Sequence, residues 1–249
     1  MKTFKEKDKL IQDKIDNTIL FHYLRGSQNY ELDNEHSDVD TQAVVLLDLK
    51  QLIHKKMYNK EIKWEDDSET SFKDLEEYKK LLVKSNINTL ESLFAKEYSF
   101  NNKFERYMTT LIEQREEIAK VDRYRLFLSE KGFAYSRFKR FQERGEYDKG
   151  CYHILRVENL LENFLVKEMS FEESITTFKN KEDILLIKEG KMPKKEAYKI
   201  LTESMNRIQT DISDKIEKQI PKGPDKKIVD FLDEFVIQIY KKHLDILEK

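Results

Sequence analysis

This chain of 249 residues has few of the residues that bend or cross-link a backbone: six glycines, three prolines and one cysteine. A single cysteine, Cys151, excludes an intramolecular disulfide framework and is typical of a reducing cytoplasm, where we expect the protein to work. The scarcity of glycine and proline, together with 38% charged residues, favours long solvated helices over an all-β fold. No apolar stretch approaches the length of a membrane span, so we expect no membrane partner.

The formal net charge of −2 gives the chain no overall attraction to nucleic acid or to acidic membranes, so any basic surface must be local. At this length the chain can hold one large domain or two smaller ones with proper cores. Short apolar runs and loops fill the N-terminal part, whereas helical spacing dominates from Asp74 onward. We therefore predict an α+β fold, with a small mixed sheet and helices in residues 1–98 and a helical half in residues 99–249.

The most informative motif is Gly26-Ser27, followed after ten residues by Asp38-Val39-Asp40. Apolar runs before and after it predict two strands, and the alternation of a strand would place both aspartates on one face. Two carboxylates on one face can hold Mg²⁺ or Mn²⁺, which bind oxygen ligands and substrate phosphates. The glycine turn offers close backbone approach, N–H groups and a hydroxyl to those phosphates. The motif predicts a nucleotide site, and the alternative is two solvated turn residues ahead of a strand.

These residues resemble the signature of the DNA polymerase beta superfamily of nucleotidyltransferases: a Gly-Ser turn, a loop, and Asp-x-Asp on the next strand. The closer resemblance is to the predicted nucleotidyltransferases that are common in bacteria and phages. It implies transfer of a nucleoside monophosphate from an NTP to a hydroxyl acceptor, with Gly26 and Ser27 at the phosphates and Asp38 and Asp40 as metal ligands. The acceptor stays open between an RNA 3′ end, a protein and a small molecule.

The resemblance also implies a third carboxylate on a neighbouring strand, which binds metal or activates the acceptor hydroxyl. Asn86 begins a segment that is similar to the family's Asn-Pro-x-x-Leu-Glu-Leu-Leu-like sequence, and counting back from it places Glu69 at the acid position. Asp67 lies two residues away on the same alternating face, so an error of one register pair would select it instead. A third interpretation makes residues 65–69 a charged hairpin tip only.

A second cluster consists of Lys149, His153 and Arg156, which are spaced four and three residues apart and would share one helix face. They match the family's Lys-x-x-x-His-x-x-Arg helix at all three positions, and the resemblance implies that this basic face contacts the nucleotide triphosphate. Arginine presents a planar fork to phosphate and lysine a point charge. Taken alone, His153 would be a structural histidine.

Two further segments allow two interpretations each. Residues 123–149 mix lysine and arginine with aromatic residues, which is typical of an RNA-binding surface. The alternative is a solvated amphipathic helix pair with Phe127, Phe138 and Phe141 in its core. The apolar residues between 228 and 239 predict an amphipathic helix that either closes the helical half or pairs with another subunit in a homo-oligomer.

The chain departs from the family pattern at two places. Gln42 stands where many relatives have arginine after the Asp-x-Asp, and Glu31 follows Tyr30 where they have glycine. Neither position is an expected metal ligand, but both can alter how the acceptor or the base is held. A rival function is therefore a nucleotide- or RNA-binding module that lacks the third carboxylate and transfers nothing.

Overall fold

The computed structural model describes residues 2–33, 38–54, 58–144 and 150–247. Backbone contacts divide the chain into two compact units, one formed by residues 1–121 and 224–249 and the other by residues 122–223. The first unit contains a sheet and the second is helical, so the predicted α+β fold, with strands first and helices after them, is confirmed. The predicted boundary at residue 98 between a catalytic core and a helical domain stays a prediction.

The first unit is built on a five-stranded mixed sheet. Its strands are β1 (Thr18–Leu24), β2 (Thr41–Leu46), β3 (Asn59–Lys63), β4 (Glu69–Asp74) and β5 (Tyr98–Phe100). They lie in the order β3-β4-β2-β1-β5. β2 and β4 are parallel, and the other neighbouring pairs are antiparallel. Because β2 and β4 run in the same direction, the starts of both strands meet at one edge of the sheet.

The remaining elements are helical. The first unit contains α1 (Phe4–Ile11), α2 (Leu49–Ile53), α3 (Leu75–Val83), α4 (Ile87–Leu90), α5 (Glu105–Glu113) and α6 (Arg115–Ala119). The second unit contains α7 (Arg123–Arg144), α8 (Tyr152–Leu160), α9 (Phe171–Thr176), α10 (Lys181–Lys188), α11 (Lys194–Arg207) and α12 (Ser213–Gln219). The chain then returns to the first unit with α13 (Lys226–Leu247). Short 3₁₀ turns span Gln12–Lys14, Ser27–Tyr30, Glu91–Phe94 and Asn102–Phe104, and π-helical segments span Leu161–Val166 and Ile208–Ile212.

The N-terminal helix α1 covers one face of the sheet. Thr3 caps it, because its side chain accepts a hydrogen bond from the Glu6 N–H while the Glu6 side chain accepts one from the Thr3 N–H. Ile11, near the end of the helix, belongs to a buried cluster with Ala43 of β2 and Phe72 of β4. Alternate residues of a strand share a face, so this apolar side of the sheet is fixed by every second residue of β2 and β4.

The opposite face is covered only in part. Phe21 of β1 packs against Tyr78 of α3, with ring centroids 6.4 Å apart. α13 packs against α3 and α5, so it closes the first unit rather than the helical half. On the edge strand β3 the residues of this face, Asn59, Glu61 and Lys63, are exposed. The β3 and β4 side of this face therefore presents polar residues to solvent.

The second unit has its own core, in which α8 packs against α7, α10 and α11. Leu126 and Ala134 of α7 and Ile154 of α8 are fully buried. Such burial of one stripe of each helix is the usual source of stability for an amphipathic helix. No helix formed by the described residues of either unit is long and apolar enough to cross a membrane.

Replacing Phe72 with alanine should lower the free energy of unfolding of the first unit by about 3–5 kcal/mol, because it leaves a cavity in the core beneath the sheet. Phe72 is 0% exposed, whereas Phe133 of the second unit is 37% exposed and provides a control. Urea denaturation of both alanine variants measures the difference. Equal losses for the two variants would contradict the placement of Phe72 in the core.

Candidate functional site

Asp38 and Asp40 precede β2 instead of lying on it, since the regular strand begins at Thr41. The N–H of Arg25 donates to the Asp40 carbonyl at 2.8 Å, which extends the pairing of β1 with β2 by one residue. Asp40 is half-buried at this position, whereas Asp38 is exposed. The expectation that both aspartates share the face of one strand is thus corrected, because strand pairing fixes only Asp40.

Glu69 is the first residue of β4 and lies beside Asp40. Its backbone N–H donates to Asp40 Oδ1 at 3.1 Å. Partial burial, followed by the nearby carboxylates of Glu61 and Asp40, raises the pKa of Glu69, and Arg25 opposes this shift. Asp67, the alternative third acid, lies in the turn before β4, exposed and with a φ of 63°. Of the two acids, Glu69 is the one that the sheet places next to Asp40.

A buried lysine from α1 holds the segment that carries both aspartates. Lys7 is 0% exposed, and its Nζ donates to the Val39 carbonyl at 2.5 Å and to the Ser68 hydroxyl. Burial lowers the pKa of Lys7, while Asp66 and Asp40 act in the opposite direction. One ammonium group therefore links the loop before β2 to the turn before β4.

The Gly26-Ser27 turn follows β1 directly. Gly26 has φ 85° and ψ −158° and caps the 3₁₀ turn Ser27–Tyr30, a conformation that favours glycine. The first N–H groups of such a turn have no acceptor within it. In the described part of the chain the Ser27 hydroxyl also has no hydrogen-bond partner. The turn can therefore offer N–H groups and a hydroxyl to an anionic ligand.

The exposed face of the sheet carries a polar row along β4. Glu69, Ser71 and Lys73 alternate with buried residues and so share this face. Arg25 Nη1 donates to Ser71 Oγ at 3.0 Å, and Gln42 Nε2 donates to the same oxygen at 3.2 Å. The row runs from a carboxylate at the start of β4 to an ammonium near its end.

The carboxylates allow a test of whether a divalent cation fits. Among residues 2–33, 38–54, 58–144 and 150–247, no group of three His, Cys, Asp or Glu side chains is arranged so that it could hold a metal ion. The predicted metal set of Asp38, Asp40 and Glu69 stays a prediction. Asp40 and Glu69 do meet at the sheet edge, and Mg²⁺ is commonly bound by one or two carboxylates, with water and substrate phosphates completing its shell. This pair fits that mode of binding.

In the second unit, His153 and Arg156 lie on α8, and Lys149 lies outside the described residues. Arg156 Nη1 is 3.4 Å from His153 Nδ1, and since a guanidinium has only donors, Nδ1 is the acceptor. Burial, followed by the charges of Arg156, Arg137 and Lys188, lowers the pKa of His153 to about 3. A neutral His153 is therefore surrounded by three cationic side chains. The predicted contact of this cluster with a triphosphate stays a prediction.

The basic and aromatic segment between 123 and 149 forms the single long helix α7 as far as Arg144. Phe127, Phe138 and Phe141 are buried, as the amphipathic interpretation requires. Phe133 is 37% exposed and Tyr135 is 52% exposed. The interpretation as an RNA-binding surface stays a prediction.

Four residues of the first unit's site were not predicted from the sequence: Lys7, Arg25, Ser71 and Lys73. The signal for Lys7 is its position on the apolar stripe of a short helix, where a lysine is unexpected. The signal for Ser71 and Lys73 is their alternation with Glu69. Arg25 carries no signal beyond its place immediately before the glycine turn.

Comparison with known proteins adds no assignment, since no protein family model and no curated protein sequence matches this chain. The resemblance to nucleotidyltransferases therefore depends on the motif residues themselves.

The neutral state of His153 predicts a loss of stability in acid. The pKa of an unfolded histidine is about 6.5, whereas the pKa of folded His153 is about 3. Lowering the pH from about 7 to about 5 should thus reduce the free energy of unfolding by roughly 2 kcal/mol through this residue, with the loss continuing towards its folded pKa. Urea denaturation of the wild type and of His153→Gln at both pH values isolates the effect. Equal losses in the two proteins would show that His153 is not held neutral.

Proposed function

We propose that this protein is a metal-dependent nucleotidyltransferase, with its catalytic residues in the first unit. The observation that carries the proposal is the meeting of Asp40 and Glu69 at the starts of two adjacent parallel strands. The Gly26-Ser27 turn begins next to Asp40, since Arg25 pairs with the Asp40 carbonyl. Carboxylates beside a phosphate-binding turn are the arrangement that phosphoryl transfer needs.

In this proposal the turn N–H groups and the Ser27 hydroxyl bind nucleotide phosphates. Asp40 and Glu69, joined by Asp38, would hold Mg²⁺ or Mn²⁺. Such a cation, when bound, neutralises phosphate charge and makes an acceptor hydroxyl more acidic. Glu69 would either bind the metal or act as the general base that accepts the hydroxyl proton. The hydroxyl oxygen then bonds to the α-phosphorus as the bond to pyrophosphate breaks.

A second candidate function is a nucleotide- or RNA-binding module without transfer. The observation that favours it is the exposed position of Asp38, together with the absence of a three-residue metal group in the part of the chain that the structure describes. Such a module would bind NTP equally well with and without Mg²⁺, because its affinity would depend on the turn rather than on a metal.

The two candidates are separated by incubating the protein with each labelled NTP, Mg²⁺ or Mn²⁺, and a mixture of total RNA, protein and small molecules. Fractionation then shows which class of acceptor takes up the label. Uptake by RNA, protein or a small molecule supports the transferase and names its acceptor class. NTP binding without any uptake supports the binding module.

Asp40→Asn should abolish transfer while the fold persists, because the amide oxygen still accepts the Glu69 N–H but the ligand charge is lost. The thermal midpoint should change little, since the repulsion from Glu69 falls but the attraction to buried Lys7 is lost as well. Asp67→Asn is the matched control, because Asp67 is exposed in the turn and should keep wild-type turnover. Initial rates and thermal midpoints of both variants measure this. Activity lost in the control but kept in Asp40→Asn would reverse the assignment of the acids.

Glu69→Gln should reduce kcat by about 10²- to 10⁴-fold with little change in NTP affinity, because a base acts mainly in the transition state. Glu105, at the start of α5, is exposed, so Glu105→Gln should change kcat far less. Steady-state kinetics and equilibrium NTP binding measure the two effects separately. A large rise in KM with an unchanged kcat would remove Glu69 as the base.

A further inference from the structure

Two cationic side chains, those of Arg25 and Lys73, lie on the same face of the sheet as the carboxylates and take no part in the proposed transfer step. Arg25 follows β1, and Lys73 lies on β4, four residues after Glu69. Both are half-buried. Within the described residues neither forms a salt bridge with a carboxylate. A half-buried cation that makes no salt bridge is costly unless a ligand supplies negative charge at close range.

A chain of hydrogen bonds across three strands holds Arg25 in place. The hydroxyl of buried Tyr23 donates to Gln42 Oε1 at 2.5 Å. Gln42 Nε2 and Arg25 Nη1 both donate to Ser71 Oγ, at 3.2 and 3.0 Å. Because the Gln42 amide accepts at one atom and donates at the other, its orientation is fixed. The guanidinium has five N–H donors, so this contact leaves most of them for a ligand.

The polar row of β4 has a negative charge at one end, Glu69, and a positive charge at the other, Lys73. Burial, followed by the charge of Arg25, lowers the pKa of Lys73, and Glu77 raises it. Arg25 also lowers the pKa of Glu69, so the guanidinium lies within electrostatic reach of both ends of the row. One end therefore favours a cation and the other an anion. A polyphosphate that carries a divalent cation matches both ends at once.

We propose that Arg25 and Lys73 form the binding site for the phosphate groups furthest from the nucleoside, those that leave as pyrophosphate. The assignment of this ligand depends on the proposed nucleotidyltransferase function. Arg25 contributes a planar fork to the phosphate oxygens and Lys73 a point charge. Ser71 is a positioning residue, because it contacts the guanidinium and not the ligand.

The test uses the full chain and the Mg²⁺ complex of inorganic tripolyphosphate, with adenosine as the phosphate-free comparison. Arg25→Gln and Lys73→Gln should each weaken tripolyphosphate binding in calorimetric titrations by about tenfold or more, as expected for a charge-assisted hydrogen bond. Ser71→Ala should weaken it less, because the guanidinium keeps its charge. Lys80→Gln, which removes an exposed cation from α3, is the matched control and should bind like the wild type.

Circular dichroism and thermal midpoints check that each variant is folded. Affinities of Arg25→Gln and Lys73→Gln equal to that of Lys80→Gln would overturn the site, and so would a wild-type protein that binds no tripolyphosphate. Equal losses for adenosine and tripolyphosphate would assign the cations to folding and also overturn it. Tripolyphosphate binding that depends on both cations, in a protein that transfers no NTP, would reject the nucleotidyltransferase and retain the anion site.

Discussion

The carboxylate site depends on one buried ammonium group, that of Lys7. Moving a charge out of water costs several kcal/mol unless polar groups surround it. Here the Val39 carbonyl and the Ser68 hydroxyl accept from Nζ, and the Trp64 ring lies 5.7 Å away. Because Val39 stands between the two aspartates and Ser68 directly precedes Glu69, this contact fixes the backbone of both acid-bearing segments. A helix on the covered face of the sheet thereby positions the carboxylates at the edge of the sheet.

The register of β2 against β4 is the second constraint, and it is set on the covered face. Trp64 Nε1 donates to Thr70 Oγ1 at 2.8 Å, and Thr70 Oγ1 lies 2.7 Å from Thr41 Oγ1. These buried hydroxyls align Thr41 with Thr70, so the preceding residues, Asp40 and Glu69, are also side by side. A slip of one residue would turn Glu69 to the opposite face. The hydroxyl pairing behind the sheet therefore places Glu69 beside Asp40.

Local pattern was enough to predict β1, most of β2 and the α+β class, because alternation and helical spacing are properties of neighbouring residues. It did not predict β5, and the choice of Glu69 over Asp67 came from the family resemblance. It was not enough for Lys7 or Arg25, whose partners are 32 and 46 residues away in the chain. Nor could it place α13, which returns to the first unit after about a hundred intervening residues. The low pKa of His153 is caused first by burial and then by Arg156 on the same helix, and local pattern could not have shown the burial or the added charges of Arg137 and Lys188 on other helices.

The pKa values at the two ends of β4 are shifted in opposite directions, and both shifts disfavour the charged form of the side chain. The pKa of Glu69 is raised and that of Lys73 is lowered, so each group resists its charged form. A free cation would relieve only the acidic end and be repelled by Arg25 and Lys73, whereas a free phosphate would relieve only the basic end and be repelled by the carboxylates. Each partner would therefore increase the affinity for the other, and by linkage the increase is reciprocal. A metal–polyphosphate would bring both charges in one binding event, so the proposed nucleotide ligand would satisfy both ends of this face where either ion alone would satisfy one.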